Sequence, residues 1–167
     1  MRKFEIPVDC EEMTEEYKGE GCGICGQACL AVITSKSILD VLENWKKLGL
    51  EWRGWSGWDQ LKQYLKHEGY AVKQVNGEVN YSPSLFYIAR VQWVGDGEEK
   101  EKPFYGWGHW NEAAAYTHFI AITAKKFFCN GAGVFTIDYL ERYLERGDGV
   151  ITSHMAVWKT DRFGERA

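Results

Sequence analysis

The sequence predicts an α+β fold in which an N-terminal group of helices packs on an antiparallel β-sheet. Up to residue 68 the apolar residues recur mostly at helical spacing, whereas the apolar runs after residue 70 alternate or are rich in β-branched and aromatic residues. Helices that come first and strands that follow are typical of segregated layers. The sequence contains no internal repeat or linker-like stretch, and 167 residues are enough for one core. We therefore expect a single domain over residues 1–167.

Start and stop signals mark the helices. Ser37 and Ser56 are predicted N-caps, as is Thr136, because their side chains can accept a hydrogen bond from the first helical turn. Gly69 suits the position just after a helix end, where a left-handed conformation is common. The predicted helices are 11–17, 25–33, 38 to about 49, 58–68 and 137–145.

Strand signals dominate the rest of the chain. Residues 70–75 alternate as a half-buried strand does, and Asn76-Gly77 follows as a turn signal. A tight connection at 124–125 joins two apolar runs into a predicted hairpin. The predicted strands are 70–75, 85–94, 117–123, 126–129 and one within 150–159.

Composition excludes several classes of partner. The net charge is −4 with histidine neutral, and no lysine- or arginine-rich block is present, so we expect neither nucleic acid nor an anionic membrane as a partner. No apolar run has membrane-spanning length, and Met1-Arg2-Lys3 is not followed by a signal-peptide core, so we expect an intracellular, cytoplasmic protein.

The five cysteines are an odd number, and their clustering does not resemble a secreted disulfide framework. Reduced thiols, reactive or metal-bound, are the expectation.

The stretch around Cys25 is the first candidate for chemistry. Glycines surround Cys22 and Cys25, and an apolar run with helical spacing begins at once, so Cys25 is expected at a helix N-terminus. The unpaired N–H groups and the positive dipole end there favour a thiolate. The alternative is a structural cysteine in a core helix, which is how most free cysteines behave.

A thiol nucleophile needs a base, and His118 is the leading candidate. It begins a buried-looking strand, and Asn130 ends the neighbouring one, so the hairpin is expected to bring both to the same edge of the sheet. An amide oxygen there could accept the imidazole N–H and orient the ring. Alternatively, His118 is a structural residue at a strand end, and Asn130-Gly131 is only a turn. His109 is the main rival to His118 as the base.

The order Cys, His, Asn adds a resemblance. Residues 25–32, Cys-Gly-Gln-Ala-Cys-Leu-Ala-Val, resemble the nucleophile helix of papain-like cysteine peptidases, closest to the branch of the bacteriocin leader-peptide peptidases. Residues 117–121 are similar to that branch's histidine-bearing strand, and 58–72 to its second helix and following strand. Asn130 stands where the branch has its Asp or Asn. The resemblance covers residues 22–130.

The resemblance implies a papain-like fold and a thiol-dependent peptidase or amidase. Cys25 would be the nucleophile, His118 the general base and acid, and Asn130 the residue that orients the imidazole. The implied partner is a peptide or protein substrate, and no metal or organic cofactor is required.

One departure from the family concerns the oxyanion hole. A Gln about six residues before the nucleophile supplies a side-chain donor in the family, whereas position 19 here is Gly and neither Gln nor Asn precedes Cys25. Losing one such donor typically costs on the order of 10²–10³ in rate. Backbone N–H groups of 19–23 or a side chain from an aromatic loop are candidates to replace it. Gln27 lies beyond the nucleophile and is poorly placed.

Three alternatives remain open at the level of sequence. Cys22 and Cys25 have the spacing of a thiol–disulfide redox pair, although no strand precedes them as in thioredoxin-like proteins. Cys22, Cys25 and Cys29 with a histidine could bind a metal, although structural zinc sites generally use two separated pairs. A non-catalytic binding module on the same scaffold is the third. The tryptophan-rich loops, 52–58 and 104–110, either flank a cleft or pack in the core.

Overall fold

A computed structural model describes residues 3–17, 23–50, 56–93 and 117–161, and within them helices pack on an antiparallel sheet. The α+β prediction is therefore confirmed. The helices are α1 Cys10–Glu16, α2 Cys25–Thr34, α3 Ile38–Lys47, α4 Trp58–His67 and α5 Leu140–Glu145, with a 3-10 turn at Ile137–Tyr139 directly before α5.

All described strands belong to one six-stranded sheet with the order β1-β6-β2-β3-β4-β5. Every neighbouring pair is antiparallel. The last described strand lies between the first two, next to the edge strand β1. The strands are β1 Tyr70–Val75, β2 Phe86–Trp93, β3 Thr117–Ile122, β4 Lys126–Cys129, β5 Gly133–Thr136 and β6 Gly149–Lys159.

The sheet separates two groups of buried side chains because side chains alternate along each strand. On the face that carries α2, here the helical face, Phe119 and Ala121 of β3 pack with Phe128 of β4 and with the helices. On the opposite face, here the second face, Ile120 and Ile122 of β3 are buried. The second face also holds Tyr87, Ala89, Phe127, Cys129 and Tyr143.

Helix α2 is buried along almost its whole length, with every residue from Cys25 to Ile33 buried. Apart from Gln27, the buried residues of α2 are apolar or small, and a helix of this kind has no solvent face to offer and is stable only inside a core. It packs on β3 and against α3 and α4. This packing holds the N-terminus of α2 against the strand that bears His118.

Several local predictions hold and others are corrected. Ser37 caps α3 as predicted, its hydroxyl accepting from the Asp40 N–H at 3.1 Å. The predicted cap Ser56 is wrong, because Gly57 is the N-cap of α4 and its N–H donates to the Gln60 side chain. The predicted helix 137–145 begins as the 3-10 turn, and β5 was not predicted.

No single helix of the described ranges is long and apolar enough to cross a bilayer. Helices α2 and α3 reach that length and composition only together, and they are bent by 104°.

Candidate active site

Cys25 occupies the predicted position at the start of a buried helix. It is the first residue of α2 and 1% exposed. Its Sγ accepts a hydrogen bond from the Phe119 N–H at 3.4 Å. Since the Phe119 nitrogen is bonded to the carbonyl carbon of His118, the thiol lies beside the backbone of the predicted base.

His118 is the second residue of β3, and its imidazole is half-buried. The ring contacts a thiol that the sequence analysis did not assign to the site, because His118 Nε2 lies 3.2 Å from Cys129 Sγ. A thiol and an imidazole at this separation share a hydrogen bond and exchange a proton readily. The structure thus places the His118 ring beside the end of β4, on the second face of the sheet, whereas α2 packs on the helical face.

Cys129 ends β4 and is 6% exposed. Burial, the largest effect, acts to raise the pKa of its thiol. Hydrogen bonds with His118 and Tyr143, the charge of His118 and a hydrogen bond with the Gly131 backbone together outweigh burial and bring the pKa to about 7. The surroundings of Cys129 therefore favour its thiolate more than those of an ordinary cysteine do.

Tyr143 brings α5 into the site from the second face. It is 6% exposed. Burial raises the pKa of its hydroxyl, and the adjacent negative charge of Cys129 raises it further. Tyr143 therefore stays protonated and can donate its O–H to the thiolate.

Asn130 binds α1 through its side chain. Its Nδ2 donates to Thr14 Oγ1 at 3.3 Å, and its backbone oxygen accepts from the Thr14 hydroxyl at 3.5 Å and from Cys10 Sγ at 3.6 Å. Its Oδ1 is buried and accepts no hydrogen bond from a described residue. The assignment of Asn130 as the group that orients His118 stays a prediction.

Strand register explains why Cys129, and not Asn130, meets the imidazole. Ala121 pairs with Phe128, and the same register sets Ile120 opposite Cys129 and Phe119 opposite Asn130. Opposed residues share a face and successive residues alternate, so Cys129 shares the second face with His118 while Asn130 belongs to the helical face. The register of the predicted hairpin is therefore enough to assign Cys129, and not Asn130, to the face of His118.

The remaining described thiols have no such activation. Burial raises the pKa of both Cys10 and Cys29. No described cysteine forms a disulfide, and no group of three or more metal-ligating side chains lies close together within the described ranges. Cys22 and His109 lie outside the described residues, so the redox pair, the metal site and the rival base remain sequence predictions.

Most of the two tryptophan-rich loops also lies outside the described residues. Trp58, at the start of α4, is described and packs edge-on against Phe119, with ring centroids 4.9 Å apart. Its indole N–H donates to the Ser153 hydroxyl of β6 at 3.1 Å. The Trp58 ring therefore packs on Phe119, the residue whose N–H donates to Cys25 Sγ.

No model of a known protein family matches this chain, and no curated protein matches its sequence.

Proposed function

We propose that this protein is a thiol-dependent hydrolase with a papain-like arrangement that cleaves a peptide or another amide. Cys25 is the nucleophile and His118 the general base and acid; Asn130, whose side chain is bound to Thr14 at 3.3 Å, would have to leave that contact to orient the imidazole. The observation that carries the proposal is the contact of Cys25 Sγ with the Phe119 N–H, which puts a helix-terminal thiol beside the backbone of a histidine from a distant strand.

The reaction would proceed by acyl transfer in two steps. His118 takes the Cys25 proton, and the thiolate attacks the carbonyl carbon of the substrate. The tetrahedral intermediate collapses to a thioester when the imidazolium gives its proton to the departing amine. Water, deprotonated by His118, then attacks the thioester and releases the carboxylic acid and the Cys25 thiol.

The N-terminus of α2 supports charge separation at this thiol. The first N–H groups of a helix have no acceptor within the helix, and the dipole there is equivalent to about half a positive charge. In α2 the first bond within the helix region runs from the Ala28 N–H to the Ile24 oxygen at 2.8 Å. The N–H groups ahead of Ala28 are therefore candidates for stabilising the oxyanion, in place of the side-chain donor that the sequence lacks.

The test is labelling with a peptide-like, thiol-directed inhibitor at neutral pH, read by mass spectrometry. We expect modification of Cys25. Cys25→Ala should abolish labelling and lower peptide hydrolysis by at least about 10³-fold. Cys29→Ala, which removes another buried thiol of the same helix, is the matched control and should keep both. Labelling and hydrolysis that persist in Cys25→Ala would refute the proposal.

His118→Ala tests the base. Without a proton acceptor, labelling of Cys25 at neutral pH should slow by about 10²-fold or more. Unchanged labelling in this variant would move the role of base to His109.

A further inference from the structure

We propose that Cys129 is a peroxide-sensitive thiol: a hydroperoxide oxidises it to a sulfenic acid, and the His118 imidazolium supplies the proton for the departing oxygen. Cys129 and the His118 ring lie on the second face of the sheet, whereas α2 packs on the helical face. The proposal uses neither Cys25 nor a peptide substrate, so it does not depend on the proposed hydrolase.

Three groups converge on the Cys129 sulfur. His118 Nε2 lies 3.2 Å from it, and Tyr143 of α5 and the Gly131 backbone also hydrogen-bond with it. Hydrogen bonds to an ionised acceptor are roughly twice as strong as those between neutral groups, so these partners favour the thiolate. Since the thiolate and not the thiol is the nucleophile, the sulfur is prepared to attack an electrophile.

Cys10 shows that these partners, and not exposure, distinguish Cys129. Each of the two cysteines is 6% exposed. The Cys10 thiol donates to the Asn130 backbone oxygen at 3.6 Å, and burial raises its pKa. Burial acts in the same direction on Cys129, but there the hydrogen bonds and the charge of His118 outweigh it and bring the pKa to about 7. Two thiols of equal exposure therefore differ in how readily they ionise.

The surroundings of the Cys129 sulfur favour a small reactant. Cys129 is 6% exposed, and Gly131 and Ala132 in the turn that follows it are exposed, so solvent reaches the end of β4. Hydrogen peroxide is little larger than a water molecule and needs a much smaller opening than a peptide that must lie across a nucleophile. Because cysteine oxidation follows thiolate character and access, a hydroperoxide is the class of reactant that fits.

The groups at the site balance the reaction. Cys129 first gives its proton to His118, and the thiolate then attacks one oxygen of hydrogen peroxide, so that an S–O bond forms and the O–O bond breaks. The imidazolium gives its Nε2 proton to the departing hydroxide, which leaves as water. The sulfur loses the two electrons that the peroxide gains, and thiol plus hydrogen peroxide gives sulfenic acid plus water.

Tyr143 remains a donor throughout this reaction. Burial raises the pKa of its hydroxyl, and the charge of Cys129 raises it further. The other described titratable groups that interact with this cluster are the thiols of Cys10 and Cys29, on α1 and α2, and Cys25 acts on Tyr143. The side chains that hydrogen-bond with the Cys129 sulfur are those of His118 and Tyr143.

The test treats the reduced, full-length protein with hydrogen peroxide at pH 7 in the presence of dimedone, which traps sulfenic acids, and follows each cysteine by peptide mass spectrometry. We expect the adduct to form on Cys129 at least about tenfold faster than on Cys10, the internal control of equal exposure, because each unit of pKa changes the thiolate population about tenfold. Equal rates at the two thiols, or no adduct on Cys129, would overturn the proposal.

Two variants test the partners of the sulfur. His118→Gln can still donate a hydrogen bond but supplies no imidazolium, and it should slow the oxidation of Cys129 by about tenfold or more. Tyr143→Phe keeps the ring that packs on Phe127, with centroids 5.1 Å apart, and loses the O–H donor, so it should slow the reaction by about three- to tenfold.

Cys29→Ala removes another buried thiol and is the matched control, which should oxidise Cys129 at the wild-type rate. Near-ultraviolet circular dichroism verifies that each variant is folded. A wild-type rate in folded His118→Gln would overturn the role of the imidazole.

This experiment and the inhibitor labelling of Cys25 report on different thiols. A dimedone adduct on Cys129 in a protein whose Cys25 takes no peptide-like inhibitor would refute the hydrolase and support the peroxide-sensitive thiol. Inhibitor on Cys25 together with no dimedone adduct on Cys129 would refute the peroxide-sensitive thiol alone.

Discussion

Gly26, the residue of α2 that follows the proposed nucleophile, lies directly against Ser56. A Cβ built on Gly26 would collide with Ser56 Oγ and would lie 3.2 Å from Leu61 Cδ2. Ser56 is 4% exposed, and its hydroxyl has no hydrogen-bond partner among the described residues. Gly26→Ala therefore adds a methyl group where a fixed hydroxyl already stands.

Two opposing effects set the expected magnitude. Overpacking a buried site typically costs about 1–3 kcal/mol, while replacing Gly by Ala within a helix gains about 1 kcal/mol. We expect Gly26→Ala to lower the free energy of unfolding by about 1 kcal/mol. Ser56→Ala removes the colliding oxygen and a buried hydroxyl that no described residue pairs with, so alone it should raise the free energy of unfolding by about 1 kcal/mol.

The sign of the Gly26 effect should therefore reverse in the Ser56→Ala background. There the remaining contacts are with Leu61 and the Ser56 Cβ, at 3.2 and 3.4 Å, which small shifts can relieve. Gly26→Ala should then be neutral or slightly stabilising, for a coupling of about 1–2 kcal/mol. Urea unfolding of the wild type, both single variants and the double variant measures this, and 1 kcal/mol corresponds to about 2–4 °C in Tm for a chain of this size. An equal cost in both backgrounds would refute the assigned contact.

Two further predictions concern stability. The Asp9 carboxylate accepts hydrogen bonds from the first N–H groups of α3, at 2.8 Å from Ile38 N and 2.9 Å from Leu39 N. Asp9→Ala should therefore lower the free energy of unfolding, measured in urea, by about 1–2 kcal/mol, and Asp9→Asn should lower it less. Equal stability of the wild type and both variants would exclude this cap. His154 bonds the Tyr81 hydroxyl at 2.8 Å, and burial lowers the pKa of its imidazole from the ordinary 6.5. The unfolded chain then binds the proton more readily than the folded one, so the contribution of neutral His154 to stability should be fully present above pH 6.5 and be lost as the pH falls below that value. His154→Gln should flatten this dependence of the free energy of unfolding on pH. An unchanged slope in that variant would contradict the prediction.

Local chemistry made much of the helical part predictable. The Ser37 cap, the glycine at position 69 and the apolar spacing located α2 to α4 closely, because each signal acts within a turn or two of its own helix. The hairpin of β3 and β4 was predictable for the same reason. The position of β6 between β1 and β2 was not, since that pairing joins residues from distant parts of the chain.

The candidate site divides in the same way. The sequence alone determined that a thiol begins a buried helix and that His118 and Asn130 come near the ends of adjacent strands. It could not determine which thiol the imidazole meets, because a shift of one residue in register turns every side chain to the other face. Only the tertiary structure, by pairing Ala121 with Phe128, set Cys129 beside His118 and brought Asn130 to α1. The packing of α5 over the second face set Tyr143 beside Cys129.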